Sequence, residues 1–135
     1  MKRKMKGIVF GIAMSALMSV TALAGTTNSG SAGGCTFTGV ISYNNNYNGW
    51  STVRTYGSSG AAYVYVKNST VFAQNGGRNS VTKSQSSDST VTKDVSVSLN
   101  APDASYYPLT IEGTHIGAAN GASWSGNTKY TGTVK

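Results

Sequence analysis

Hydrophobic positions in this chain follow two patterns. Between Ile8 and Val20 they run together, as Ile8-Val9-Phe10, Ile12-Ala13-Met14, Leu17-Met18 and Val20. Beyond Gly34 they alternate with polar residues at a period of two, the spacing a strand displays on its two faces. The first run is preceded by Lys2, Arg3, Lys4 and Lys6 and ends at Ala22-Leu23-Ala24. A cationic start, an apolar core and an A-x-A site together have the layout of a secretory signal peptide. A membrane anchor fits less well. The stretch from Gly7 to Ala24 is near the lower limit for a spanning helix, and Gly11, Ser15, Ser19 and Thr21 interrupt it. We therefore expect residues 1–24 to be removed and the product to be secreted. The Lys-rich start has bacterial form, and no stable membrane anchor is expected after cleavage.

Residues 25–34 are Gly, Ser, Thr, Asn and Ala only and predict a flexible linker. Residues 35–135 predict a single all-β domain. Strand-like runs cover 35–43, 50–56 and 61–67. In the last of these Tyr63 and Tyr65 share one face and Val64 and Val66 the other, which suits a central strand. Residues 70–74 are a fourth run or a continuation of the third. Asn75-Gly76-Gly77-Arg78-Asn79 is a turn, because Asn and Gly tolerate positive φ cheaply. Val81-Thr82-Lys83 recurs as Val91-Thr92-Lys93 across the polar spacer 84–89, predicting a hairpin with a six-residue loop. Val91, Val95, Val97 and Leu99 then share one face. Residues 100–105 break the pattern. The strand at 106–116 contains Pro108, which lacks an amide donor and belongs at an edge or a bulge. Asn120-Gly121 is a hairpin turn before a last strand over 123–134. Seven or eight short strands without a helical stretch predict an antiparallel β-sandwich, with a β-barrel as the alternative. The expected core is Phe37, Ile41, Val53, Val64, Val66, Phe72, Val95, Val97, Leu99, Leu109, Ile111 and Trp124.

Composition and charge narrow the function. The full chain has 11 Lys+Arg against 4 Asp+Glu, a net charge of +7. Four of those cations lie in the signal peptide. The seven that remain, against four acids, leave +3 over 111 residues. They are scattered rather than clustered in a stripe, so no nucleic-acid partner is expected. Ser, Thr, Asn and Gly make up more than half of the exported part, a composition open to disorder. All eight Tyr and both Trp also lie there, however, placed among Val, Ile and Leu. Such residues suit a pleated, half-buried surface and argue for a folded domain.

Few groups could carry acid–base or metal chemistry. His115 is the single histidine, and Glu112, three residues earlier on the same strand, faces the other way. No G-x-S-x-G, phosphate-binding loop, calcium loop or dinucleotide motif occurs. A single Cys excludes an intramolecular disulfide framework. We expect a non-enzymatic protein with no cofactor and no metal. Cys35 reads as a small buried hydrophobe on the face of Phe37. The alternative in an oxidising compartment is an intermolecular disulfide and a Cys35-linked dimer. Asn68-Ser69-Thr70 matches the glycosylation pattern by chance in a bacterial context.

The densest feature is Tyr43-Asn44-Asn45-Asn46-Tyr47-Asn48-Gly49-Trp50, with three aromatics and four Asn in eight residues. Aromatic faces stack on sugar rings, and amides satisfy hydroxyls. Tyr and Asn also dominate protein-recognition loops. Tyr43, Asn45, Tyr47, Asn48 and Trp50 are therefore the candidate ligand-binding residues. Tyr56, Tyr106 and Tyr107 join them if they share that end. The competing reading is a turn whose Tyr47 and Trp50 only cover the end of the sandwich.

In outline (a signal peptide, a Gly/Ser/Tyr-rich body and an expected sandwich) the chain is similar to the small Gram-positive bacteriocins of the lactococcin 972 type. The similarity is one of layout rather than motif, and this mature chain is longer. It implies an antibacterial role. Three expectations follow: a secreted module binding an extracellular or cell-envelope glycan or protein, a bacteriocin-like protein, or a structural matrix or fibre subunit.

Overall fold

Wherever one parity of a segment is apolar, the chain extends and buries that parity. The computed structural model describes residues 26–135, so the signal peptide and the cut after Ala24 lie outside the described residues. Eight strands form: β1 (Thr27–Ala32), β2 (Cys35–Asn44), β3 (Trp50–Gly57), β4 (Tyr63–Gln74), β5 (Ser80–Ser89), β6 (Asp94–Asn100), β7 (Tyr106–Ala119) and β8 (Ala122–Thr131). They make two four-stranded antiparallel sheets, in the orders β1-β2-β3-β6 and β5-β4-β7-β8. The sheets face each other with β1 against β8, β2 against β7, β3 against β4 and β7, and β6 against β4 and β5. The architecture is a β-sandwich; the two sheets do not close into a barrel.

The inward parity is Cys35, Phe37, Gly39 and Ile41 on β2, Ser51, Val53 and Thr55 on β3, and Val95, Val97 and Leu99 on β6. Opposite lie Val64, Val66 and Phe72 of β4 and Ile111 of β7. Nine of the twelve expected core residues are buried; Val95, Leu109 and Trp124 are partly so. Glycines admit the largest rings. A Cβ at Gly30 would strike the Trp124 indole, one at Gly117 the Phe37 ring, and one at Gly39 the His115 imidazole. Phe37 and Trp124 consequently lie parallel, 6.1 Å apart.

Two polar clusters cross the interior. Ser51 Oγ lies 2.7 Å from Thr70 Oγ1, and Asn68 Nδ2 donates to Ser51 Oγ (3.0 Å) and to the Val97 carbonyl (3.1 Å). His115 bridges Thr55 and Thr128, 2.7 Å from each hydroxyl. Among the described residues no buried side-chain nitrogen or oxygen lacks a partner. Such satisfaction is what makes a polar core tolerable. Asn68 is fully buried and its amide is committed, so the Asn68-Ser69-Thr70 pattern is a core feature.

Three elements differ from expectation. Residues 27–32 are not a linker. They form β1, with Thr27 opposite Val40 and Ala32 opposite Cys35. Residues 84–89 are not a hairpin loop. They continue β5, whose ten residues pair with β4 from Ser89 opposite Val64 to Ser80 opposite Ala73. β6, expected as the second arm of that hairpin, pairs with β3 in the other sheet. Val91 falls in the crossing between sheets and is 90% exposed. The third and fourth runs merge into β4. Its register against β7 shifts between Val71 and Phe72, where Phe72 faces Pro108. Pro108 thus sits at a bulge, where no ladder amide is required of it.

Antiparallel pairing throughout sorts the connections by parity. The β2–β3, β4–β5 and β6–β7 connections and the segment after β8 gather at one end. The β1–β2, β3–β4, β5–β6 and β7–β8 turns gather at the other.

Candidate functional site

The Tyr/Asn-rich segment is the β2–β3 connection and belongs to the first of these ends. Its conformation is set by its own side chains. Asn44 Oδ1 accepts from the Asn46 amide at 3.0 Å, an Asx turn. Asn48 adopts φ +58°, a left-handed conformation that Asn tolerates better than most residues. Its amide donates to the Tyr106 carbonyl (2.8 Å), and the Ala101 amide donates to the Gly49 carbonyl (3.0 Å). The loop is thus fastened by its backbone to the β6–β7 connection.

Its side chains point three ways. Tyr43 stacks on Tyr130 with centroids 3.9 Å apart, and Asn45 Nδ2 donates to the Tyr130 hydroxyl at 3.0 Å. These two close the flank toward β8. Trp50 alternates with buried Ser51, so it lies on the outer face of the first sheet. Tyr47 alone turns to the β4–β5 connection. Its ring meets Tyr107 edge-on at 5.4 Å and 85°, and 43% of the residue stays exposed.

Beside Tyr47 is an open cavity of about 540 Å³ lined by Tyr47, Gln74, Asn75, Gly76, Arg78 and Ser105. Its rim is braced. Gln74 Nε2 donates to Ser105 Oγ (2.8 Å), and Asn79 Nδ2 donates to Gln74 Oε1 (2.7 Å). Asp103 accepts from the Ser105 amide and hydroxyl, and those bonds hold its carboxyl below the usual carboxylate range. The Lys135 amide donates to the Tyr107 hydroxyl (2.9 Å), with the Lys135 ammonium 5.5 Å from that ring. By contrast, no hydrogen bond or ion pair engages the side chains of Asn75 and Arg78 among the described residues. The groups left available for a ligand are an aromatic face, an amide and a guanidinium.

The five candidates therefore do not form one surface. Tyr47 is in the cavity, Asn48 shapes the turn, Tyr43 and Asn45 brace β8, and Trp50 stands apart. Tyr106 and Tyr107 do share this end. Tyr56 does not: it lies on the outer face of the first sheet beneath the Arg54 guanidinium (4.6 Å). Asn75, Arg78 and Ser105 were legible in sequence only as turn or loop residues, and Gln74 only as the end of a strand-like run. What joins them to Tyr47 is strand parity, which requires knowing that 63–74 is one strand.

Other chemistry-bearing groups lie away from the cavity. His115 is fully buried with both ring nitrogens against threonine hydroxyls, and burial pushes its pKa down to about 4. Glu112 faces outward and pairs with Lys129 at 3.1 Å. Arg54 grips Asp94 through two nitrogens and depresses its pKa. Among the described residues no three His, Cys, Asp or Glu side chains cluster as metal ligands would. Cys35 lies at the far end. It is 4% exposed, with its Sγ donating to the Ser59 carbonyl at 3.5 Å. No protein-family model, curated protein or solved structure matches the chain.

Proposed function

We propose that the protein is an exported, non-enzymatic binding module whose cavity at Tyr47 holds a glycan or a sugar-bearing envelope polymer. The observation that carries this reading is the convergence of three connections on one cavity. There Tyr47 is supported from below by Tyr107, while the side chains of Asn75 and Arg78 have no partner among the described residues. A half-exposed tyrosine held by an edge contact presents a flat face at little entropic cost. An unengaged amide beside it suits a hydroxyl.

The test is a pull-down and glycan-array comparison of variants. Tyr47→Ala should weaken binding about tenfold, as expected for loss of a stacking residue at the centre of a small site. Trp50→Ala, on another face, should leave it within about twofold, the range of energetically neutral contacts. Binding that depends on Trp50 and ignores Tyr47 refutes the assignment. If the same site acts on the envelope of a rival cell, the protein is the antibacterial agent that its layout implies, and purified protein should kill susceptible bacteria.

One feature favours the structural reading instead. β5 is a ten-residue sheet edge, exposed along nearly its whole length and free of Pro. Such an edge is a template for pairing with another chain.

A further inference from the structure

Resting on the binding reading above, we infer that the ligand of the end cavity carries an anionic group, a carboxylate or a phosphate on a glycan, and that Arg78 receives it. Two arginines lie among the described residues. Arg54 is saturated: its guanidinium holds both oxygens of Asp94 and lies over Tyr56. Arg78 is engaged by no hydrogen bond or ion pair among the described residues, yet it lines a cavity beside Tyr47 and Asn75. A planar guanidinium offers a fork of donors that matches carboxylate and phosphate oxygens two at a time.

Charged side chains of both signs share this end, two lysines and one aspartate. Lys83 reaches this end, donating to the Asn100 carbonyl at 2.9 Å, and Lys135 lies over Tyr107. Asp103 is the acid of these connections, and its oxygen is already turned onto Ser105. Gln74 and Ser105 are spent on each other and on Asn79 and Asp103. A neutral sugar would offer the guanidinium only single, uncharged hydroxyl acceptors. An acidic sugar would offer it a charged acceptor with two oxygens.

The experiment titrates the purified protein with tetragalacturonate, with its methyl ester, and with a glycerol-phosphate oligomer, reading amide shifts and affinity. The acid form should perturb residues 47, 75 and 78 and bind about tenfold or more tightly than its ester, the scale of a charged hydrogen bond. Arg78→Gln should erase that difference, and Arg78→Lys should keep part of it. Preference for galacturonate identifies a carboxylate source; preference for the phosphate oligomer identifies a phosphodiester polymer. Equal binding of acid and ester, both lost in Tyr47→Ala, overturns the anionic inference while sparing the binding reading. No perturbation at residues 47, 75 and 78 with any of the three overturns both. Circular dichroism of Arg78→Gln checks that this exposed change leaves the fold intact.

Discussion

The imidazole of His115 lies between Thr55 and Thr128, facing Gly39, and among the described residues no charged group joins that contact. Neutral imidazole fits, donating to one hydroxyl and accepting from the other. Imidazolium would leave water without a counter-charge. The ordinary pKa of 6.5 is lowered to about 4 by burial, so stability has a defined pH window. Above pH 6.5 both folded and unfolded chains are neutral there, and the contribution is complete. As pH falls from 6.5 toward 4 the unfolded chain takes the proton first, and stability declines. The full loss is about 3 kcal/mol, from the difference between the two pKa values. Asp94 behaves oppositely in origin: its lowered pKa means that its contribution is lost at more acid pH. Urea titrations across this range should show the decline in the native protein and a flat response in His115→Gln; the same slope in both rejects the assignment. The inward direction of His115 was readable from its parity with Ile111. Its two threonine partners come from β3 and β8, and no local spacing announces them.

Strands whose inward parity is apolar were legible: β2, β3, β4, β6 and β7 follow the alternation closely. β1 and the second half of β5, which was expected as a loop, were not, for a shared physical reason. Both are edge strands whose existence depends on a partner's hydrogen bonds rather than on their own burial. The sequence TNSGSA of β1 buries only Ala32. Its contribution to packing is an absence, the missing side chain of Gly30 beneath Trp124. Gly30→Val should therefore force the indole or the strand outward, at a cost of about 1–3 kcal/mol, typical of overpacking. A denaturation midpoint unchanged from the native protein would mean that β1 is not docked as described. The repeat of Val-Thr-Lys misled for the same reason. Val81 lies on paired β5 and Val91 in the sheet-to-sheet crossing, and identical tripeptides carry no register of their own.

At the scale of the molecule, strand parity sorts the connections of a Gly-, Ser- and Asn-rich chain to two ends. One pole gathers tight turns around buried Cys35. The other gathers the Tyr47 cavity with the Arg78 guanidinium on its lining. If the protein is exported as proposed, secreted material should begin at Gly25 by mass spectrometry; product in the medium retaining Met1 contradicts it. The exposed edge β5 bears on assembly. If the structural reading holds, sedimentation should show concentration-dependent association that a charged substitution such as Ser86→Lys suppresses. A strict monomer at high concentration rejects it. For binding at the Tyr47 pole, the most direct measurement is an amide-shift map of the labelled protein titrated with solubilised cell-wall fragments. Perturbations should concentrate at residues 47, 74–78 and 105. Perturbations centred on Trp50 and the outer face of the first sheet, or spread along β5, would contradict it.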